Sequence, residues 1–168
     1  MKFETVEELF LSGIQDLYDA EKRLVKALPA MAEAASSAEL RQAFLKHLGE
    51  TEGQVRRLEN VFSELGKEPK SITGATMKGL IKESESIISD MDESPLRDAG
   101  LIAAANRVEH YEIAAYGSAK TFAETLGMTH AARLLAHTLE EEKMADRMLT
   151  EIAEGMVNER ALHAGQHR

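Results

Sequence analysis

The sequence predicts an all-α protein: an up-down four-helix bundle with a long crossover containing a short extra helix. Four long stretches repeat apolar residues at three- and four-residue steps, the period of a helix with one buried face. Only 3 Pro and 11 Gly interrupt a chain rich in Ala, Leu, Glu, Lys and Arg, which are strong helix formers. The interruptions coincide with capping residues, at Ser36-Ser37, Gly66 to Pro69, Ser94-Pro95 and Gly127 to Thr129.

The first helix begins at a capping box, with Thr5 at the cap and Glu8 three residues on. Phe10, Ile14, Leu17, Glu21, Leu24 and Leu28 mark its inner stripe toward Ala35, with a bend expected near Pro29. Ser36-Ser37 can cap the second helix, whose inner face reads Leu40, Phe44, His47, Thr51, Gln54, Leu58, Val61 and Leu65. Glu50 stands beside that stripe, and Gly66 is a natural C-terminal cap. Residues 66–95 form the crossover, with Met77, Leu80, Ile81, Ile87 and Ile88 suggesting its short helix. Ser94-Pro95 starts the third long helix, which runs to about Leu126. A fourth runs from His130 to about Val157, with Leu134, Thr138, Glu141, Ala145, Met148 and Ile152 on its inner stripe. Residues 158–168 are expected to be a flexible tail whose His163 and His167 need no role.

Length and composition bound the function. The 168 residues suit one core, so residues 1–168 are expected to be a single domain. A net charge of −9 without a dense Lys/Arg tract argues against nucleic acid or an anionic membrane as partners. With 0 Cys there is no disulfide, thiolate ligand or thiol nucleophile. The N-terminus MKFETVEELFLSG has no long apolar signal core, and no apolar run reaches spanning length, so a cytoplasmic location is expected. Phosphate-loop, dinucleotide-binding and H-E-x-x-H signatures are absent.

The chemistry lies in acids placed on apolar stripes. In Arg107 to Gly117, RVEHYEIAAYG, the stripe Ile102, Ala105, Glu109, Glu112, Tyr116, Ala119 carries two carboxylates toward the core. An inward carboxylate requires a cation, a proton or hydrogen-bond donors. Glu21, Glu50, Glu112 and Glu141 form the leading set of metal ligands, one from each long helix. Glu109 can chelate beside Glu112, and Glu142 and Asp146 stand in reserve. Glu21 and Glu112 are 91 positions apart, as are Glu50 and Glu141, which hints at an internal duplication of a helical hairpin. His47 reads as a ligand, a donor to one, or a partly buried polar residue. Gln54 can orient Glu50, and the three Tyr residues read as core packing with a satisfied hydroxyl.

Four segments together resemble the YciF-like branch of the ferritin-like superfamily: VEELFLSGIQDLYDAEKRL, HLGETEGQVRRLENVF, LIAAANRVEHYEIAAYGSAKTFAETLG and LLAHTLEEEKMADRMLTEIA. The resemblance covers nearly the whole chain and implies a small ferritin-like helical bundle, a homodimer, associated with bacterial stress responses. The wider superfamily supplies a Glu from the first and third helices and E-x-x-H from the second and fourth. Glu21 and Glu112 match the first pair, and Glu50 and Glu141 match the acids of the second. Gly53 and Met144 stand where the histidines would be. That departure leaves room for an all-carboxylate, incomplete or single-metal site, with Glu109, Glu142 and Asp146 compensating. The expected function is binding of Fe or Mn, as one ion or as a di-iron or di-manganese centre, in oxidative or general stress. The alternatives are a non-catalytic structural stress protein and a peptide-binding helical module.

Overall fold

The computed structural model describes residues 3–164. Its helices are α1 (Val6–Ala34), α2 (Ala38–Glu64), α3 (Ala75–Asp90), α4 (Pro95–Thr125), α5 (Thr129–Ile152) and α6 (Asn158–Ala164). A π-helical stretch, Ala153–Val157, joins α5 to α6. The fold is all-α, a ferritin-like bundle of α1, α2, α4 and α5 with α3 on the crossover. Among the described residues no helix is long and apolar enough to cross a membrane.

Local chemistry sets the boundaries. Thr5 and Glu8 form the capping box at α1, the Thr5 hydroxyl accepting from the Glu8 N–H at 3.1 Å. Ser37 accepts from the Leu40 N–H at 3.3 Å, and Ser94 from the Arg97 N–H at 3.2 Å with Pro95 at the first position of α4. Gly66 and Gly127, at φ 64° and 71°, turn the chain after α2 and α4 in the left-handed region that only glycine enters without strain. Helix α1 continues through Pro29 to Ala34. The span 158–168, expected as a flexible tail, is helical over Asn158–Ala164; residues 165–168, including His167, lie outside the described residues.

Two apolar clusters fill the two ends of the bundle. One gathers Leu24, Leu28, Leu40, Phe44, Leu101, Val108 and Leu149; the other gathers Phe10, Ile14, Leu58, Phe62, Tyr116, Ala123 and Leu135. Their order along each helix gives the directions: α1 and α5 run one way, α2 and α4 the other. Because α2 and α4 are parallel, the chain must travel the length of the bundle between them, and α3 makes that return. It packs on α1 and α4. Gly74, just before α3, donates its N–H to Asp19 Oδ2 at 3.2 Å, and a β-carbon there would collide with the Asp16 carboxylate. Between the apolar ends lies a buried polar layer: Glu21, His47, Thr51, Gln54, Glu109, Glu112, Thr138 and Glu142.

At the far end of α1, Asp98 of α4 accepts from the Ser36 N–H, the Ser37 N–H and the Ser36 hydroxyl at 2.8, 2.8 and 2.6 Å. It ties the α1–α2 turn to the start of α4 and is itself buried. Asp98→Ala would orphan two backbone donors and should destabilise the protein by about 2–3 kcal/mol, read from the urea-unfolding midpoint at neutral pH.

Candidate metal centre

Each long bundle helix sends at least one polar side chain into the central layer. Helix α1 provides Glu21, between Leu17 and Leu24 on its buried stripe; α2 provides His47, Thr51 and Gln54. Helix α4 provides Glu109, Glu112 and Tyr116 at three- and four-residue steps, and α5 provides Thr138 and Glu142. The apolar residues one turn either side hold each helix in this phase.

Ligand atoms from His47, Glu109, Glu112 and Glu142 all lie within 4.8 Å of one another. His47 Nε2 is 3.2 Å from Glu109 Oε1 and 3.6 Å from Glu142 Oε2. Glu21 lies against Glu112, and the Tyr116 hydroxyl donates to its Oε1. Gln54 Nε2 donates to Glu142 Oε1. The Thr51 hydroxyl donates to the His47 carbonyl at 2.8 Å.

What these bonds leave over is more telling. Both oxygens of Glu112, Oε2 of Glu21, Glu109 and Glu142, and both ring nitrogens of His47 are buried without a hydrogen-bond partner. Buried polar atoms are nearly always satisfied, and here these seven are grouped together. They are acceptors, or nitrogens able to offer a lone pair, which is what a cation requires. The donor set therefore fits a metal ion. A buried His/Glu cluster capable of coordinating a metal is present, as in a ferritin-like centre.

Electrostatics agree. Burial, and then the charge of Glu142, pushes the carboxyls of Glu21 and Glu109 well above the usual range. Burial followed by the charge of Glu21 does the same to Glu112. The Tyr116 phenol is raised by burial and by the Glu21 carboxylate it faces. These groups crowd like charges together without an internal cation.

Of the seven acids singled out by sequence, Glu109, Glu112 and Glu142 join the cluster and Glu21 borders it. The other three are held elsewhere. Glu141 receives both arms of the Arg57 guanidinium, at 2.6 and 2.7 Å, with Gln54 at 3.1 Å. Glu50 is half-buried, pairs with Lys46 at 2.9 Å and stands 3.6 Å from His47 Nδ1. The neighbouring imidazole, and then Lys46, hold its carboxyl below the usual range. Asp146 accepts from Asn106 at 2.7 Å and lies 3.1 Å from the exposed His110.

Of Glu141 and Glu142, it is Glu142 that lies in the cluster. Adjacent residues on a helix point about 100° apart, and the buried stripe of α5 runs Leu135, Thr138, Glu142, Ala145, Leu149, one residue off the phase expected from sequence. The 91-residue offset contains the signal, since it pairs Glu142 with Thr51, a residue already on the inner stripe of α2. His47 also sits on that stripe and is the histidine of the buried cluster. Gln54 reaches Glu141 and Glu142 instead of Glu50, because Glu50 turns outward to Lys46.

Comparison with known proteins places this geometry in a family. The profile described as a domain of unknown function, DUF892, matches residues 5–162. The chain belongs to the DUF892 family. It is a close homologue of YciF of Escherichia coli K12, 46% identical over 162 residues, spanning 96% of this chain and 98% of that protein. The crystal structure of that E. coli stress protein matches with a TM-score of 0.89, covering 93% of this chain and 99% of that one. YcfI from Rhodopseudomonas palustris, 41% identical, matches at 0.85 over 88% and 94% of the two chains. A Xanthomonas campestris protein at 23% identity and TM-score 0.75, covering 96% and 98%, shares the fold.

The raised carboxyls set the sign of the pH dependence. Folded Glu21, Glu109 and Glu112 hold protons more tightly than in the unfolded chain, where the ordinary value is near 4.5. Their contribution to stability is complete below that value and is lost as pH rises through the raised folded values. Chelator-treated protein should therefore melt lower at pH 8 than at pH 6. Glu112→Gln should lessen that fall and melt about 3 °C higher than the parent at pH 8, the effect of roughly 1 kcal/mol in a domain of this size. Calorimetry of the two metal-free proteins at both pH values checks it.

Proposed function

We propose that His47, Glu109, Glu112 and Glu142, with Glu21 beside Glu112, bind Fe or Mn as a carboxylate-rich centre. The group of unpartnered buried oxygens and nitrogens carries this reading. The donor set favours these metals by chemistry. Carboxylate oxygens suit hard and borderline divalent ions, the single imidazole makes Ca²⁺ or Mg²⁺ a poorer match, and the clustered donors include no thiolate to select a soft ion. Charge balance favours two ions, because the four buried carboxylates of Glu21, Glu109, Glu112 and Glu142 would neutralise two divalent cations.

A filled centre would supply Lewis acidity and one-electron redox chemistry. The chain's own residues would hold and shape it. Tyr116 fixes one oxygen of Glu21, Gln54 fixes one oxygen of Glu142, and each leaves the second oxygen free. The apolar clusters above and below exclude water from the layer. The description of the E. coli relative as a stress protein supports a role in oxidative or general stress, and the family resemblance supports a homodimer. A peptide-binding module would need the inner acids turned to solvent, and four of them are buried.

Protein purified without added metal or chelator should carry Fe or Mn, with anomalous density at its absorption edge bounded by His47, Glu109, Glu112 and Glu142. Adding Mn²⁺ to the chelated protein at 100 times its dissociation constant should stabilise it by about 2.7 kcal/mol, or roughly 5–10 °C in Tm. Glu142→Gln should remove most of that gain. A chelated protein whose Tm ignores both Mn²⁺ and Fe²⁺, with the inner carboxyls protonated or salt-bridged in its crystal structure, would rule the centre out.

A further inference from the structure

The interior cluster is buried, so an ion has to reach it through a specific part of the wall. Between α2 and α5 the surface carries a recess of ≈ 10 Å³, room for about one water-sized sphere. Lys46, Glu50 and Met148 stand around it, and His47 and Glu109 line it as well. Two of these belong to the cluster: His47 and Glu109 are 5% and 2% exposed, and both carry unpartnered atoms. The imidazole spans the wall. Its Nδ1 lies 3.6 Å from Glu50 Oε2 on the outside, and its Nε2 lies 3.2 Å from Glu109 Oε1 on the inside.

We propose that Glu50 is a capture site for divalent metal ions, passing them through this recess by way of His47 to Glu109 and the interior. The proposal rests on the metal-binding reading of the cluster and adds its uptake route. A recess this narrow does not pass a hydrated ion, so water ligands have to be replaced in turn at the wall. A carboxylate, an imidazole nitrogen and a second carboxylate stand in that order. Lys46 Nζ, 2.9 Å from Glu50 Oε1, occupies the outer carboxylate in the absence of an ion. A single lysine pair at i,i+4 on one helix, its Lys46 end exposed, is weak and easily displaced by a doubly charged cation.

The counterpart position shows why the route lies on this side. Glu141, 91 residues after Glu50, also faces outward from the layer. There the two-armed Arg57 bond and Gln54 hold the carboxylate, and Thr138 accepts from the same guanidinium at 3.0 Å. A bidentate arginine fork is strong and directional, and it closes that face. The same acid at the other position has one lysine and an open recess.

Stopped-flow mixing of chelator-stripped full-length protein with Co²⁺, followed by its visible absorption, tests the route, with bound Co²⁺ per chain measured at the end point. Glu50→Gln should slow uptake about tenfold, within the range by which local charge focusing changes association rates, while the end-point content stays at the parent value. Lys46→Met should speed uptake about twofold to threefold. Uptake by Glu50→Gln within twofold of the parent overturns the proposal. A lost end-point content overturns it differently, making Glu50 a ligand of the centre and not a step toward it. Should circular dichroism show Glu50→Gln misfolded, Lys46→Met decides alone: faster uptake supports the route, and an unchanged or slower rate overturns it. A parent protein that takes up no Co²⁺, Fe²⁺ or Mn²⁺ removes the metal reading itself, and the route with it.

Discussion

The structure depends on one electrostatic constraint: four carboxyl groups and an imidazole share a buried layer with no Lys or Arg inside it among the described residues. Taking an unpaired charge out of water costs several kcal/mol, so such a layer survives only if the charge is neutralised and the packing above and below holds. Burying a Leu, Ile or Phe side chain contributes roughly 1.5–3 kcal/mol each, and both ends of the bundle are built of them. Those two apolar blocks fix the helix phases. The phases aim the acids inward even though each acid, taken alone, would prefer water. Protons relieve the crowding in the metal-free protein, which is the sense of the raised carboxyls; divalent cations would relieve it further.

The two helical hairpins are related but not equivalent. Glu21 and Glu112 occupy matching positions and both enter the layer, whereas Tyr18 stands where Glu109 does and Thr51 where Glu142 does. Tyr18 donates to Glu59 and packs on Phe62, outside the cluster. Thr138 matches His47 and contributes a hydroxyl to Arg57. The substitutions concentrate the clustered acids on the α4–α5 hairpin, with α2 adding the imidazole. The histidine of the cluster, His47, lies three residues before Glu50, whereas the superfamily pattern looks for one at the Gly53 position three residues after it. The outer pair, Glu50 and Glu141, has also diverged: one is fastened by arginine, the other merely guarded by lysine.

Local rules made most of the fold legible. The capping box at Thr5, the Ser-Pro start at Ser94-Pro95 and the glycine turns at 66 and 127 act through neighbouring backbone groups, and all are found in the structure. The extra helix in the crossover is likewise present, over Ala75–Asp90. At the C-terminal end, α6 continues the chain as helix where a tail was expected, because it packs against α4, a neighbour distant in sequence.

By itself the sequence determined that the protein is helical, where its long helices start and turn, and that acids interrupt their buried stripes. Spacing along one helix carries that information, since i, i+3 and i+4 share a face whatever surrounds it. Choosing among adjacent acids required the other helices. Glu140, Glu141 and Glu142 read as one charged run until Arg57 of α2 draws Glu141 outward and Gln54 holds Glu142 within. His47 has three open readings in the sequence, and the structure brings Glu109 and Glu142 to its ring. A ligand set is a property of several helix faces at once, and only the tertiary structure brings those faces together.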